Sequence, residues 1–273
     1  MLSAAEIDAF LADGYVAIRG AVPGAVARAC QDVVWSELEK QRIVRDDPAT
    51  WTAAVVRINC PDGGPFAAAG QGTVPVLAEA CDQLIGAGRW WRRPGVGGTI
   101  PVRFPGEQDP GDAGWHFESS YEAGGSWRVN IGSRARGLLA LYLITDVDAD
   151  GAPTRLRPGS HLDVPPILEP AGDDGLDWSV AAPLAAQASA HRPTALATGR
   201  AGDVFLCHPF LVHAASWPHR GSQPRMIAQP GVALHGQFPL DPDASPSPVE
   251  RAILTGLAGA GRGPASFRAG AGR

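Results

Sequence analysis

The amino-terminal third of the chain carries apolar residues at helical spacing. Ser3-Ala4-Ala5-Glu6 has the form of a capping box, and Ile7, Phe10 and Leu11 follow it on one face as far as Gly14. Tyr15-Val16-Ala17-Ile18 predicts a short strand. Pro23-Gly24 opens a second helix, carried towards Arg42 by a stripe of Val26, Cys30, Val33, Val34 and Leu38. A third helix follows Pro75 through Leu77, Cys81 and Leu84. Residues 45–72, polar and rich in Gly and Pro, predict loops with short elements.

From residue 97 the pattern changes to short extended runs at 99–104, 114–117, 137–145, 154–157, 194–197, 203–206 and 225–232. Turn signals separate them, among them Asp150-Gly151, Arg157-Pro158-Gly159-Ser160 and residues 199–202. Many short strands without a βαβ alternation predict a sandwich or barrel. Residues 165–192 are acidic and contain proline, and predict a loop inserted between strands, of the kind used as a lid or binding loop. Beyond Pro239 the composition shifts to Pro, Ala, Gly and Ser, with a short helix predicted at 249–257 and a flexible tail over the last dozen residues. The predicted organisation is one domain over 1–243: a helical part at 1–96 and a β core at 97–238 that contains the insertion at 165–192. A helix and tail follow at 244–273.

Composition narrows the function classes. The 273 residues include 23 Lys and Arg against 28 Asp and Glu, a net charge of −5, and 45% are hydrophobic. An acidic chain with an ordinary apolar fraction fits a globular domain and argues against a nucleic-acid or anionic-membrane partner. No apolar run approaches the roughly 20 residues that span a bilayer. The amino terminus lacks a basic region followed by an apolar one, so a cytoplasmic protein is expected. Cys30, Cys60, Cys81 and Cys207 are scattered without a CxxC pair and read as reduced, buried thiols.

The candidate chemistry centres on Trp115-His116-Phe117-Glu118. In an extended segment, side chains at i and i+2 share a face, so His116 and Glu118 converge. Imidazole plus carboxylate is two-thirds of the facial triad that holds non-haem Fe(II). A third ligand must come from a distant histidine. His161 sits in a turn, and His191, His219 and His235 lie in loop-like segments, which leaves His208 and His213 in the run from Gly202 to His213. His213 follows the apolar Phe210-Leu211-Val212 and is the better placed, while Pro209 could reset the face and favour His208. Arg225 opens the next apolar strand, where a guanidinium can grip a carboxylate in bidentate fashion. Taken singly, these residues have plainer readings: a polar pair on a strand, a core histidine, a structural arginine. Trp115, Trp127 and Tyr142 are read as core aromatics ahead of pocket walls.

The ordered set of motifs resembles the phytanoyl-CoA dioxygenase family of Fe(II)/2-oxoglutarate oxygenases. It comprises Phe10 to Val16, Trp115-His116-Phe117-Glu118, Leu141 to Asp146 leading into Gly151, Pro158-Gly159-Ser160-His161, and Gly202-Asp203 to His213 with Arg225. The resemblance implies a mainly β fold with flanking α-helices around a double-stranded β-helix (jelly-roll, cupin-like) core. It implies His116, Glu118 and His213 as iron ligands and catalytic residues. It also implies Arg225 as the clamp on 2-oxoglutarate, with Arg103 on the preceding strand touching co-substrate or substrate. The implied reaction uses Fe(II), 2-oxoglutarate and O2, with ascorbate as reductant in vitro, to hydroxylate a C–H bond of a small molecule. Desaturation, epimerisation or cyclisation are alternative outcomes of the same site. A non-catalytic cupin-like binding protein, or a zinc or manganese enzyme on the same fold, are further alternatives. Glu118 stands where the family usually carries Asp; it keeps the carboxylate, adds one methylene, and argues against the halogenating branch, which lacks that carboxylate. No basic cluster marks a nucleotide site, so an acyl-CoA substrate is not implied, and the oligomeric state is not readable.

Overall fold

The capping box forms at Ser3: its hydroxyl accepts from Glu6 N–H at 3.3 Å, and the Glu6 carboxylate accepts from Ser3 N–H at 2.8 Å. It starts α1 (Ala4–Asp13), which ends at Gly14 in the left-handed region with φ +83°. Only glycine suits that position twice over, because a Cβ there would also stand 2.5 Å from the His161 ring. The computed structural model describes residues 1–261, so the tail expected over the last dozen residues lies outside the described residues. After α1 come β1 (Tyr15–Ile18), α2 (Gly24–Glu39), β2 (Val55–Asn59), α3 (Pro65–Ala69), α4 (Pro75–Ile85) and β3 (Thr99–Arg103). Next are β4 (Tyr121–Ala123), β5 (Ser126–Val129), β6 (Arg136–Leu143), β7 (Arg155–Leu156), α5 (Pro165–Leu168), β8 (Leu176–Asp177) and α6 (Trp178–Ala188). The chain closes with β9 (Ala195–Leu196), β10 (Val204–Cys207), β11 (His213–Ala214), β12 (Arg225–Ala228), β13 (Gly231–Ala233) and α7 (Pro248–Gly259).

The large antiparallel sheet runs β1-β10-β6-β12-β3-β2, with β13 also pairing β6. A smaller sheet, β11-β7-β9, faces it, and β4-β5-β8 form a third. Period-two alternation gives the large sheet two apolar faces. Leu139, Leu141 and Leu143 of β6, Phe205 and Cys207 of β10 and Ile227 of β12 pack inward with Leu156 of β7, in the space between the two sheets. The intervening residues, Leu138, Ala140, Tyr142, Val204, Leu206, Met226 and Ala228, pack outward against the helices. Burial on both faces explains why β6 reads as an unbroken apolar run. This is the mainly β architecture with flanking helices that the sequence predicts.

Several local expectations are corrected. β2 forms inside the region expected to be loop; it is an edge strand on β3, half-exposed, so its apolar signal is weak. Residues 114–117 do not form a strand: a single bridge, His116 opposite His213, pins a segment otherwise bounded by glycines and Pro110. The run at 225–232 is broken into β12 and β13 at Gln229-Pro230, where proline has no N–H for the ladder. The insertion at 165–192 is largely helical. Asp177 caps α6 by accepting from Ser179 N–H at 2.9 Å, and the alanine-rich helix tolerates Pro183 in its second turn. Finally, α7 begins with a second capping box, Ser247 with Glu250, and packs on α1, α4 and α5.

Candidate active site

Inward-facing positions converge at one mouth of the space between the sheets. In the run through β10 to β11, Phe205, Cys207 and Leu211 face inward, and His213, two residues past Leu211, lies opposite Leu156 on the same face. His208 falls on the other parity. Its Nδ1 accepts from Phe210 N–H at 3.1 Å and its Nε2 donates to Val249 O at 3.2 Å, so both ring nitrogens are spent on backbone in the outer layer. Pro209 therefore does not turn His208 towards His116 and Glu118.

His116 and His213 are joined by backbone hydrogen bonds in both directions, His116 N–H to His213 O at 2.9 Å and His213 N–H to His116 O at 2.8 Å. Their rings lie 4.5 Å apart. Phe117, between the two site residues, is fully buried and packs edge-on against Phe210, which fixes His116 and Glu118 to the opposite side. His116 Nδ1 lies 2.8 Å from Gly114 O, and His213 Nδ1 lies 3.0 Å from Leu211 O. A carbonyl has no proton to give, so each Nδ1 carries one and each Nε2 keeps its lone pair for a metal. Burial, with the neighbouring His116, lowers the His213 pKa to about 3, which keeps the ring neutral and able to ligate.

The donor atoms of His116, Glu118 and His213 all lie within 4.8 Å of one another, and Glu118 Oε1 is 3.7 Å from His116 Nε2. Facial donors about 2.1 Å from a shared ion, roughly at right angles, stand about 3 Å apart, so the cluster closes when donor separations of up to 4.8 Å shorten by under about 2 Å. With its extra methylene, the Glu118 carboxylate still stands within this cluster. Two nitrogens and one carboxylate on one side of an ion form the facial set that suits Fe(II) and leaves positions open.

Deeper on the inner face, Arg225 of β12 stands directly opposite Arg103 of β3. Both are buried, at 2% and 3% exposure. Arg103 donates to Asp112 at 2.6 Å, and Asp112 is shared with Arg57. Among the described residues, Arg225 has only long contacts, 3.5 Å each, to Thr154 Oγ1 and Pro101 O. The Nε atoms of both arginines, and His219 Nε2, are buried without a hydrogen-bond partner among the described residues. Burial, helped by Arg103 and opposed by Asp112, lowers the Arg225 pKa to about 9. Buried guanidinium groups in excess of carboxylate, with donors unpaired, fit a bound organic dianion such as 2-oxoglutarate.

The insertion reaches His116 through Trp178. Trp178, first residue of α6, donates from Nε1 to Phe117 O at 3.0 Å and stands edge-on to His116 with ring centroids 6.2 Å apart. Trp115 is held by Arg157 and Arg155, whose guanidinium carbons lie 4.0 Å and 4.7 Å from its ring centre. Tyr142 is a core residue hydrogen-bonded to Gln71, and Trp127 is exposed on the β4–β5 hairpin. All four cysteines are buried and free, and burial pushes the Cys30, Cys60 and Cys81 thiols up to about 12. Sequence reasoning brought together His116, Glu118, His213, Arg103 and Arg225. It did not single out Asp112 or Trp178, and it set His219 aside as loop-like; all three positions depend on loops or the insertion, which carry no periodic signal.

With the geometry in place, likeness to known proteins can be weighed. The profile of the phytanoyl-CoA dioxygenase (PhyH) family matches residues 10–227. No curated protein matches the chain at a significant level. Among solved structures, the non-heme alpha ketoglutarate dependent carbocyclase SnoK of nogalamycin biosynthesis superimposes with a TM-score of 0.53 at 19% identity, over 90% of this chain and 92% of that one. The epimerase SnoN, solved with Fe3+, alpha ketoglutarate and nogalamycin RO, gives 0.53 at 18% identity over 84% and 82%. HygX from Streptomyces hygroscopicus, solved with nickel and 2-oxoglutarate, gives 0.54 at 15% identity over 86% and 88%. At these identities the superpositions establish the fold.

Proposed function

The chain belongs to the phytanoyl-CoA dioxygenase family of Fe(II)/2-oxoglutarate oxygenases, and we propose that it hydroxylates a C–H bond of a small organic molecule at a site built by His116, Glu118, His213 and Arg225. One observation carries the residue assignment: three donor atoms within 4.8 Å of one another, from two segments far apart in sequence, together with a buried arginine that makes no ion pair among the described residues. His116, Glu118 and His213 hold the metal, and the Nδ1–H bonds to Gly114 O and Leu211 O fix both rings with Nε2 towards it. Arg225 receives the far carboxylate of 2-oxoglutarate, and Arg103, anchored by Asp112, adds positive potential at the same end. The oxidising chemistry comes from Fe(II), 2-oxoglutarate and O2 together, with succinate and CO2 released. Trp178 walls the site and limits water beside His116.

Protein purified without oxygen should bind one Fe(II) per chain and develop a visible charge-transfer band on addition of 2-oxoglutarate. Under air, with ascorbate, it should release succinate. Absence of both the band and succinate would overturn the assignment.

A further inference from the structure

The cavity that contains Glu118 and His213 has a volume of about 430 Å3, inside the range of about 300–1,000 Å3 of small-molecule pockets. Thr99, Gln229, Arg93 and Arg136 line it as well. The arginines on this side of the molecule are not equivalent. Arg89 pairs with Glu250 at 2.7 Å, Arg92 with Asp82, and Arg93 with Asp62 at 3.1 Å. Arg134 lies over the Tyr121 ring at 4.9 Å. Arg136, half-buried at the start of β6, has no hydrogen-bond or ion-pair partner for its guanidinium among the described residues.

The backbone makes room for that guanidinium. Gly231 of β13 pairs with the inward-facing, cavity-lining Leu139. A Cβ on Gly231 would overlap Arg136 Nη1 and crowd its Cζ. The arginine therefore lies along the bare backbone of Gly231, and both residues line the cavity. A half-buried cation without a partner is costly unless a ligand supplies the anion.

We propose that the organic substrate carries one oxyanion, a carboxylate or a phosphate monoester, which Arg136 binds while the oxidised carbon is held towards Glu118 and His213. Arg93 is the auxiliary cation: its partner Asp62 is exposed and can yield to a ligand. One unpaired guanidinium matches one such group, whereas the several phosphates of a coenzyme A ester need a cluster of free cations. The orientation of the substrate rests on the metal reading above; the anion site itself does not, because it can be measured without iron.

The test uses metal-free full-length protein and calorimetric titration with matched pairs: phenylacetate, hexanoate and an N-acetyl amino acid against their primary amides, and phenyl phosphate against phenol. At least one acid should bind while its neutral partner does not, and the acid that binds best tells carboxylate from phosphate. Its affinity should fall roughly 10- to 100-fold in Arg136→Leu and recover in part in Arg136→Lys. Gly231→Ala, which keeps the charge but displaces it, should weaken binding to a similar degree. Arg225→Leu should leave this binding intact. The proposal is overturned if no acid binds better than its neutral partner, or if Arg136→Leu binds the acid as well as wild type does. It is overturned equally if Arg136→Leu loses 2-oxoglutarate binding, since Arg136 would then serve the co-substrate. Failure of iron loading with these results intact would overturn the metal reading alone.

Discussion

Arg225 and Arg103 are direct cross-strand partners with buried guanidinium groups, and Asp112 is the carboxylate bonded to Arg103 between them and the loop. Facing like charges destabilise a strand pair, and here burial adds to the cost. An anion bound between them removes that cost. Metal-free protein should therefore gain about 2.7 kcal/mol of stability at 2-oxoglutarate concentrations a hundred times Kd. Arg225→Met should raise the Tm of the ligand-free protein and abolish the response to 2-oxoglutarate. A variant that still responds fully would place the clamp elsewhere.

His208 and His213, on either side of Pro209 in the chain, should behave oppositely. His213→Ala is expected to lose iron at unchanged folding, as read by metal analysis and circular dichroism. His208→Ala should keep iron but unfold more easily, because it leaves Phe210 N–H and Val249 O unpaired at a cost of about 1–3 kcal/mol for each buried group. The reverse pattern would exchange their roles.

Trp178 joins the insertion to the site. Trp178→Phe keeps the aromatic wall and removes the hydrogen bond to Phe117 O. It should cost about 1 kcal/mol in denaturant titrations and leave iron content unchanged. Trp178→Ala should also open the wall beside His116 and accelerate the stripping of iron by a chelator. Equal stripping rates in wild type and Trp178→Ala would remove Trp178 from the site.

Asp203 should give the protein part of its acid sensitivity. Burial raises its pKa, but the Gly20 N–H, the Arg19 guanidinium and the Arg200 N–H together outweigh this and hold it below the usual carboxylate value. With the folded-state pKa depressed, the unfolded chain takes up the proton first as pH falls. The stabilisation is thus full above the unfolded pKa of about 3.9 and is lost as pH drops through the folded value. Asp203→Asn should lower stability at pH 7 by about 1.5–3 kcal/mol and flatten the fall in Tm below pH 4. An unchanged acid limb would show that other carboxylates set it.

The residues of the candidate site were legible as a set because period-two alternation is a local property of the backbone. His116 and Glu118 share a parity, Phe117 between them is apolar, and the odd positions from Phe205 to His213 keep one face. Capping boxes at Ser3 and Ser247 are likewise local, since their hydrogen bonds span three residues. The family motifs added the order of strands, which periodicity cannot supply.

Other features depended on tertiary structure, because they join segments whose separation in sequence carries no signal. Asp112 reaches Arg103 and Arg57 from a loop, and β2 becomes a strand by pairing with β3. The insertion at 165–192, read as loop from its prolines and acidic residues, gains α6 by burying Ala181, Ala182 and Ala185. Parity left open whether Pro209 would exchange His208 for His213; packing puts His208 on Val249 on one side and bridges His213 to His116 on the other. The sequence by itself determined which residue types could gather at an iron site and on which face of each strand they stand. Only the tertiary structure decided that they meet, because convergence depends on the pairing of β11 with β7 and on the bridge from His213 to His116, contacts between chain segments that local periodicity does not encode.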